Sequence, residues 1–187
     1  DKEKPYRFYL EGLTIDLIPF GGISQNDEVV LDDPHMKLSV YGCREVTEEA
    51  IVLHDKYCVI TLPGLCVLKI VAYSEKPGRV KDWDDFLLIA NNYSDITGDQ
   101  LFNGEYEDLF DDDFDLTFAS VRMLGRHMNS ILSKNDALKQ TVLDLLGSKL
   151  GGFRPEEINQ MNAVREWDDT QVQTLKLISE IIKGIND

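Results

Sequence analysis

Residues 61–75 read TLPGLCVLKIVAYSE, and from Leu65 to Tyr73 every residue is apolar except Lys69. Pro63 suits the first turn of a helix, and Pro77-Gly78 ends it. A helix that is apolar all round has to be buried on nearly every side, so other elements must surround it. Its one ammonium then has two routes: it snorkels to solvent along its own stem, or it reaches into a polar site. The next segment, RVKDWDDFLLIANNY at 79–93, is an amphipathic helix, because Trp83, Phe86, Leu87 and Ala90 follow an i, i+3, i+4, i+7 spacing. Asp82 and Asp85 are read as lying off that stripe. Lys81 and Asp85 are spaced i, i+4, which as it stands describes a surface ion pair.

The segment 6–20, YRFYLEGLTIDLIPF, reads as a β-hairpin turning at Glu11-Gly12. Ile15 and Leu17 alternate against Thr14 and Asp16, so Asp16 faces the side opposite to them. A carboxylate in such a strand either faces solvent on a half-exposed sheet or is paired, hydrogen-bonded or metal-bound. Residues 24–36 are polar and read as loop, while 50–55 and 57–62 read as two short strands. Residues 105–115, EYEDLFDDDFD, hold seven acids in eleven positions, a solvated run without the fixed geometry of a calcium loop. Helices are expected at 115–132, 135–147 and 168–184, with Asp115, Asn135 and Asp168 or Asp169 as N-caps. Strands first and helices after give an α+β chain.

The 187 residues carry 34 acids against 19 bases, a net charge of −15. Such a field repels polyphosphate backbones and argues against non-specific nucleic-acid binding. Cys43, Cys58 and Cys66 match no zinc spacing and read as reduced core residues of a cytoplasmic protein. His35, His54 and His127 are scattered, each read as a surface or hydrogen-bonded histidine. No nucleophile motif, Walker loop or GxGxxG is present, and no apolar stretch is long enough to span a membrane.

TIDLIPFGGI at 14–23, LPGLCVLKIVAY at 62–73, RVKDWDDFLLIANNY at 79–93 and DDFDLTFASVRMLGRHM at 112–128 together resemble the AbiEii-like branch of the nucleotidyltransferase superfamily. The resemblance covers roughly residues 6–130. It implies a mixed sheet with flanking helices in residues 1–93, the C-terminal half of a nucleotidyltransferase-like core, and a helical region in 94–187. It implies transfer of a nucleoside monophosphate from an NTP to a hydroxyl acceptor with Mg²⁺. Asp16 matches the third metal-binding carboxylate, Lys69 a lysine beside the triphosphate, Asp85 an acid that orients that lysine or lines the pocket, and Lys81 a further substrate-side position. Relatives of this kind are bacterial toxins, which implies an antitoxin partner. The family's Gly-Ser turn and D-x-D pair should precede the hairpin, and neither is found before Asp16. Together with an opening at Asp1 rather than Met, this points to a piece of a longer protein. The piece is expected to be inactive alone, to bind Mg²⁺ and NTP weakly or not at all, and to expose a sheet edge that favours self-association. The contrasting expectation is a non-catalytic interaction module that keeps the fold without the chemistry.

Overall fold

The computed structural model describes residues 4–32, 35–152 and 168–187. The chain divides into two compact units, Asp1–Arg44 and Glu45–Asp187.

The first unit is built from two hairpins. Strands β1 (Arg7–Leu10) and β2 (Leu13–Asp16) pair antiparallel, with Phe8 opposite Ile15 and Leu10 opposite Leu13. The expected turn lies at Glu11-Gly12, with φ of 50° and 83°. Positive φ at both central residues is the twist that a two-residue hairpin loop requires, and glycine takes it without strain. Strands β3 (Glu28–Asp32) and β4 (His35–Ser39) form a second hairpin where the sequence suggested loop. Its apolar residues pair across the ladder, Val29 with Leu38 and Leu31 with Met36, and Val29 is buried.

The second unit opens with the end of helix α1 (Cys43–Glu48) and a third hairpin, β5 (Ile51–Leu53) with β6 (Tyr57–Val59). The expected mixed sheet is therefore corrected. Among the described residues there are three separate two-stranded antiparallel sheets. A short turn closes each strand onto its immediate neighbour, and parallel pairing would need a crossover that these connections lack. Cys58, expected in the core, is exposed on β6, whereas Cys66 is fully buried.

Helices follow at α2 (Leu62–Glu75), α3 (Val80–Asn91), α4 (Tyr93–Thr97), α5 (Leu116–Leu132), α6 (Asp136–Leu150) and α7 (Asp168–Asn186). Two short 3₁₀ turns, Gly98–Phe102 and Glu107–Leu109, lie between α4 and α5. Their caps are chemical. Thr61 Oγ1 accepts from the Gly64 amide, Asp115 Oδ1 from the Phe118 amide and Asn135 Oδ1 from the Leu138 amide. The third predicted cap, Asp168 or Asp169, stands at the start of α7, where side chains lie outside the described residues. As its composition demands, α2 is surrounded: it packs on α3, α5 and α6. Cys66, Val67 and Ile70 of α2 are fully buried with Phe86 of α3, Leu124 and Met128 of α5, and Val142 and Leu146 of α6. Each such aliphatic or aromatic side chain contributes on the order of 1.5–3 kcal/mol.

Helices α5 and α7 cross closely at Gly125 and Gly184. A Cβ at Gly184 would stand 2.0 Å from the Arg122 carbonyl oxygen, and one at Gly125 would stand 2.4 Å from that of Ile181. Both obstacles are backbone, so neither helix can yield without moving bodily. Gly184→Ala is expected to destabilise the protein by about 2–3 kcal/mol or more, read as a lower urea midpoint. An unchanged midpoint would show that the helices do not meet at these two glycines.

Candidate functional site

Lys69 leaves the buried surface of α2 toward α3, where two carboxylates three residues apart share one face. Its Nζ donates to Asp82 Oδ1 at 2.9 Å and to Asp85 Oδ2 at 2.7 Å. Asp82 is only 4% exposed, and Asp85 is half-buried. Arg79, the N-cap residue of α3, brings its Nε to 2.6 Å from Asp82 Oδ2. That approach is a charge contact outside hydrogen-bond geometry, so Oδ2 has no hydrogen-bond donor among the described residues. Burial pulls the Lys69 ammonium down, but the hydrogen bonds and charges of Asp85 and Asp82 outweigh it and leave its pKa above the ordinary value. The lysine is thus a fixed cation. Two positive and two negative groups make the cluster neutral at rest.

The structure brings together two of the sequence-derived site residues, Lys69 and Asp85, which are sixteen positions apart. Lys81 is exposed and makes no ion pair among the described residues; Asp85 turns to Lys69 instead of to its i, i+4 neighbour. Asp82, read from the sequence as lying off the apolar stripe with Asp85, is instead the most buried of the four charged residues. The signal was its place one turn before Phe86, at the edge of the apolar stripe.

Asp16 belongs to the other unit, where it is the cross-strand partner of Arg7. The guanidinium binds both carboxylate oxygens, each at 2.7 Å. That bidentate bond holds the Asp16 carboxyl below its ordinary range. Asp16 also lines a cleft of about 860 Å³ with Tyr6, Phe8, Leu17, Val30 and Asp32. Among the described residues no group of three or more His, Cys, Asp or Glu is placed to hold a metal ion. The acidic run behaves as solvated structure: Asp115 caps α5 and Asp108 pairs with Arg126.

His127 of α5 is held between two phenols. Its Nδ1 is 2.7 Å from the Tyr93 hydroxyl and its Nε2 is 2.7 Å from the Tyr106 hydroxyl. A neutral ring suits this arrangement, since one nitrogen donates and the other accepts. Burial raises the pKa of Tyr93 and, with the Glu105 charge, that of Tyr106. Burial also lowers His127 from its ordinary 6.5, with Glu105 opposing.

No family model matches the chain, and neither a curated protein nor a solved structure matches it significantly. No described helix is long and apolar enough to cross a membrane.

The lowered His127 pKa sets a sign for acid sensitivity. Its contribution is complete above the unfolded value of 6.5 and is lost as pH falls through the folded value. Urea unfolding is expected to show lower stability at pH 5.5 than at pH 7.5, and His127→Gln should flatten part of that loss. An identical pH response in the variant would place the acid sensitivity elsewhere.

Proposed function

We propose that this chain is part of a nucleotidyltransferase, one that moves a nucleoside monophosphate from an NTP to a hydroxyl acceptor. The observation that carries the reading is the Lys69–Asp85 bond at 2.7 Å. The AbiEii-like motifs assign a joint task to those two positions. The bond supports that pairing from side-chain geometry, separately from the motif spacing. A lysine fixed on a packed helix supplies a counter-charge to a polyphosphate at little reorganisation cost. Lys69 is the residue we assign to the triphosphate, Asp85 orients it, and Lys81 is a solvent-side contact of lesser weight.

The Mg²⁺ implied by this chemistry does not fit the described residues taken alone. Asp16 has both oxygens on Arg7, and no further ligand set is placed for an octahedral cation. No metal step is therefore assigned to this chain, and no Gly-Ser turn with a D-x-D pair precedes Asp16 in its sequence.

A second reading is favoured by the hairpins. Phe8, Leu10, Leu13 and Leu17 of the first unit, and Ile51, Val52, Leu53 and Tyr57 of the second, are each 45–66% exposed. Uncovered apolar strands with open edges suit a protein partner, whether an antitoxin or another copy of the chain. In that reading the chain is an interaction module without chemistry.

Transfer of label from each NTP separates the two. The protein encoded by the whole native gene is expected to transfer, Lys69→Ala is expected to lose transfer by about a hundredfold or more, and the 187-residue chain alone is expected to be inactive. A whole-gene product that transfers nothing from any NTP, or transfers equally well without the lysine, would favour the module.

A further inference from the structure

The four charged groups at the start of α3 are unequal, and their inequality assigns them different tasks. Asp82 is the anchored member. Its side chain is 6% exposed, and its two oxygens face two different cations, Lys69 at Oδ1 and Arg79 at Oδ2. A carboxylate buried this far cannot swing into water without exposing the α2–α3 packing around it. It therefore accepts a hydrogen bond from Lys69 and draws Arg79 to its other oxygen. Asp85 is the loose member. Its side chain is 34% exposed, and it touches the cluster through one bond, to Lys69. Turning it out to water costs little, because its charge is readily rehydrated.

Arg79 has no place in the site derived from the sequence. Its side chain is 56% exposed, its nearest approach to Asp82 is through Nε, and its terminal nitrogens donate no hydrogen bond among the described residues. These are the donors with which a guanidinium grips a phosphate in a bidentate fashion. Lys69 is 25% exposed and has one donor beyond the two it spends on Asp82 and Asp85.

We propose that Lys69 and Arg79 form an oxyanion-binding fork, organised by Asp82, in which Asp85 is a built-in counter-ion that an incoming phosphate chain displaces. At rest the cluster is neutral. With Asp85 turned away it carries one net positive charge, a local attractor on a chain of net charge −15. The inference rests on the reading that this site takes the phosphates of a nucleotide, and it adds to that reading a second cation and an exchange. Asp85 then both orients the lysine when the site is empty and competes with the ligand.

That competition gives the test an unusual sign. The probe is inorganic tripolyphosphate, titrated calorimetrically into the 187-residue chain at low salt without metal. Asp82→Asn alters a buried charge and puts the fold at risk, so the test uses the two less buried positions, Asp85 and Arg79. Asp85→Asn should bind tripolyphosphate more tightly than the unaltered chain, by about fivefold or more, as expected from removing one nearby like charge. Arg79→Gln should bind it more weakly by a similar factor. Acylation of Lys69, followed by mass spectrometry, should slow when tripolyphosphate is added. Weaker or equal binding by Asp85→Asn, binding indifferent to Arg79→Gln, or no binding by any variant would each overturn the fork. Failure of this proposal and failure of the proposed reaction remain distinguishable. Tripolyphosphate binding with these signs, but no nucleotidyl transfer by the whole-gene product, would retain the fork and refute the reaction. Transfer without the Asp85→Asn gain would do the reverse.

Discussion

A lysine in the middle of an apolar helix has few ways to exist. Helix α2 is surrounded by α3, α5 and α6, and Lys69 interrupts a run that otherwise has no polar side chain between Leu65 and Tyr73. Its ammonium must leave the core where an opposite charge is waiting, and among the described residues α3 offers it, through Asp82 and Asp85. The need is mutual. Asp82 is buried and would carry an uncompensated charge without Lys69 and Arg79. This reciprocal requirement fixes how α3 lies along α2. From there the apolar stripe of α3 and the facing surfaces of α5 and α6 follow by packing.

The helices were legible because their apolar spacing is long and regular. The expected 63–75, 79–93 and 115–132 correspond to α2, α3 and α5 with only small shifts at their ends, and 135–147 to an α6 that runs a turn further. Such shifts are within the fraying of any helix end. The first hairpin was legible through Glu11-Gly12, a pair that accepts positive φ at the turn. The second was missed because residues 24–36 look polar on average. Averages hide the period-two pattern of Val29 with Leu31 and of Met36 with Leu38, which pair across the ladder. One mixed sheet was expected where three hairpins stand, since local pattern reveals strands but not which strands meet.

The candidate site was legible in part for a similar reason. Lys69 stood out because it contradicts its surroundings, and Asp85 because of its place in a motif. Asp82 did not stand out, since a carboxylate near an apolar stripe resembles any surface acid until the helix is packed. His127 is the extreme case. Its partners Tyr93 and Tyr106 lie 34 and 21 positions away, and no spacing rule connects them. Asp16 shows the opposite outcome. The sequence left it either facing solvent or partnered, and Arg7, its direct cross-strand neighbour, pairs with it within the hairpin.

The dependence of the core on the charge contact between α2 and α3 is measurable as a coupling energy. Urea unfolding of Lys69→Met, Asp82→Asn and the double variant isolates it from the separate costs of each change. The account predicts that the double variant is more stable than the sum of the single losses implies, by about 1.5 kcal/mol or more. Losses that add would mean that Lys69 and Asp82 do not depend on each other, and would contradict the central role given to their contact.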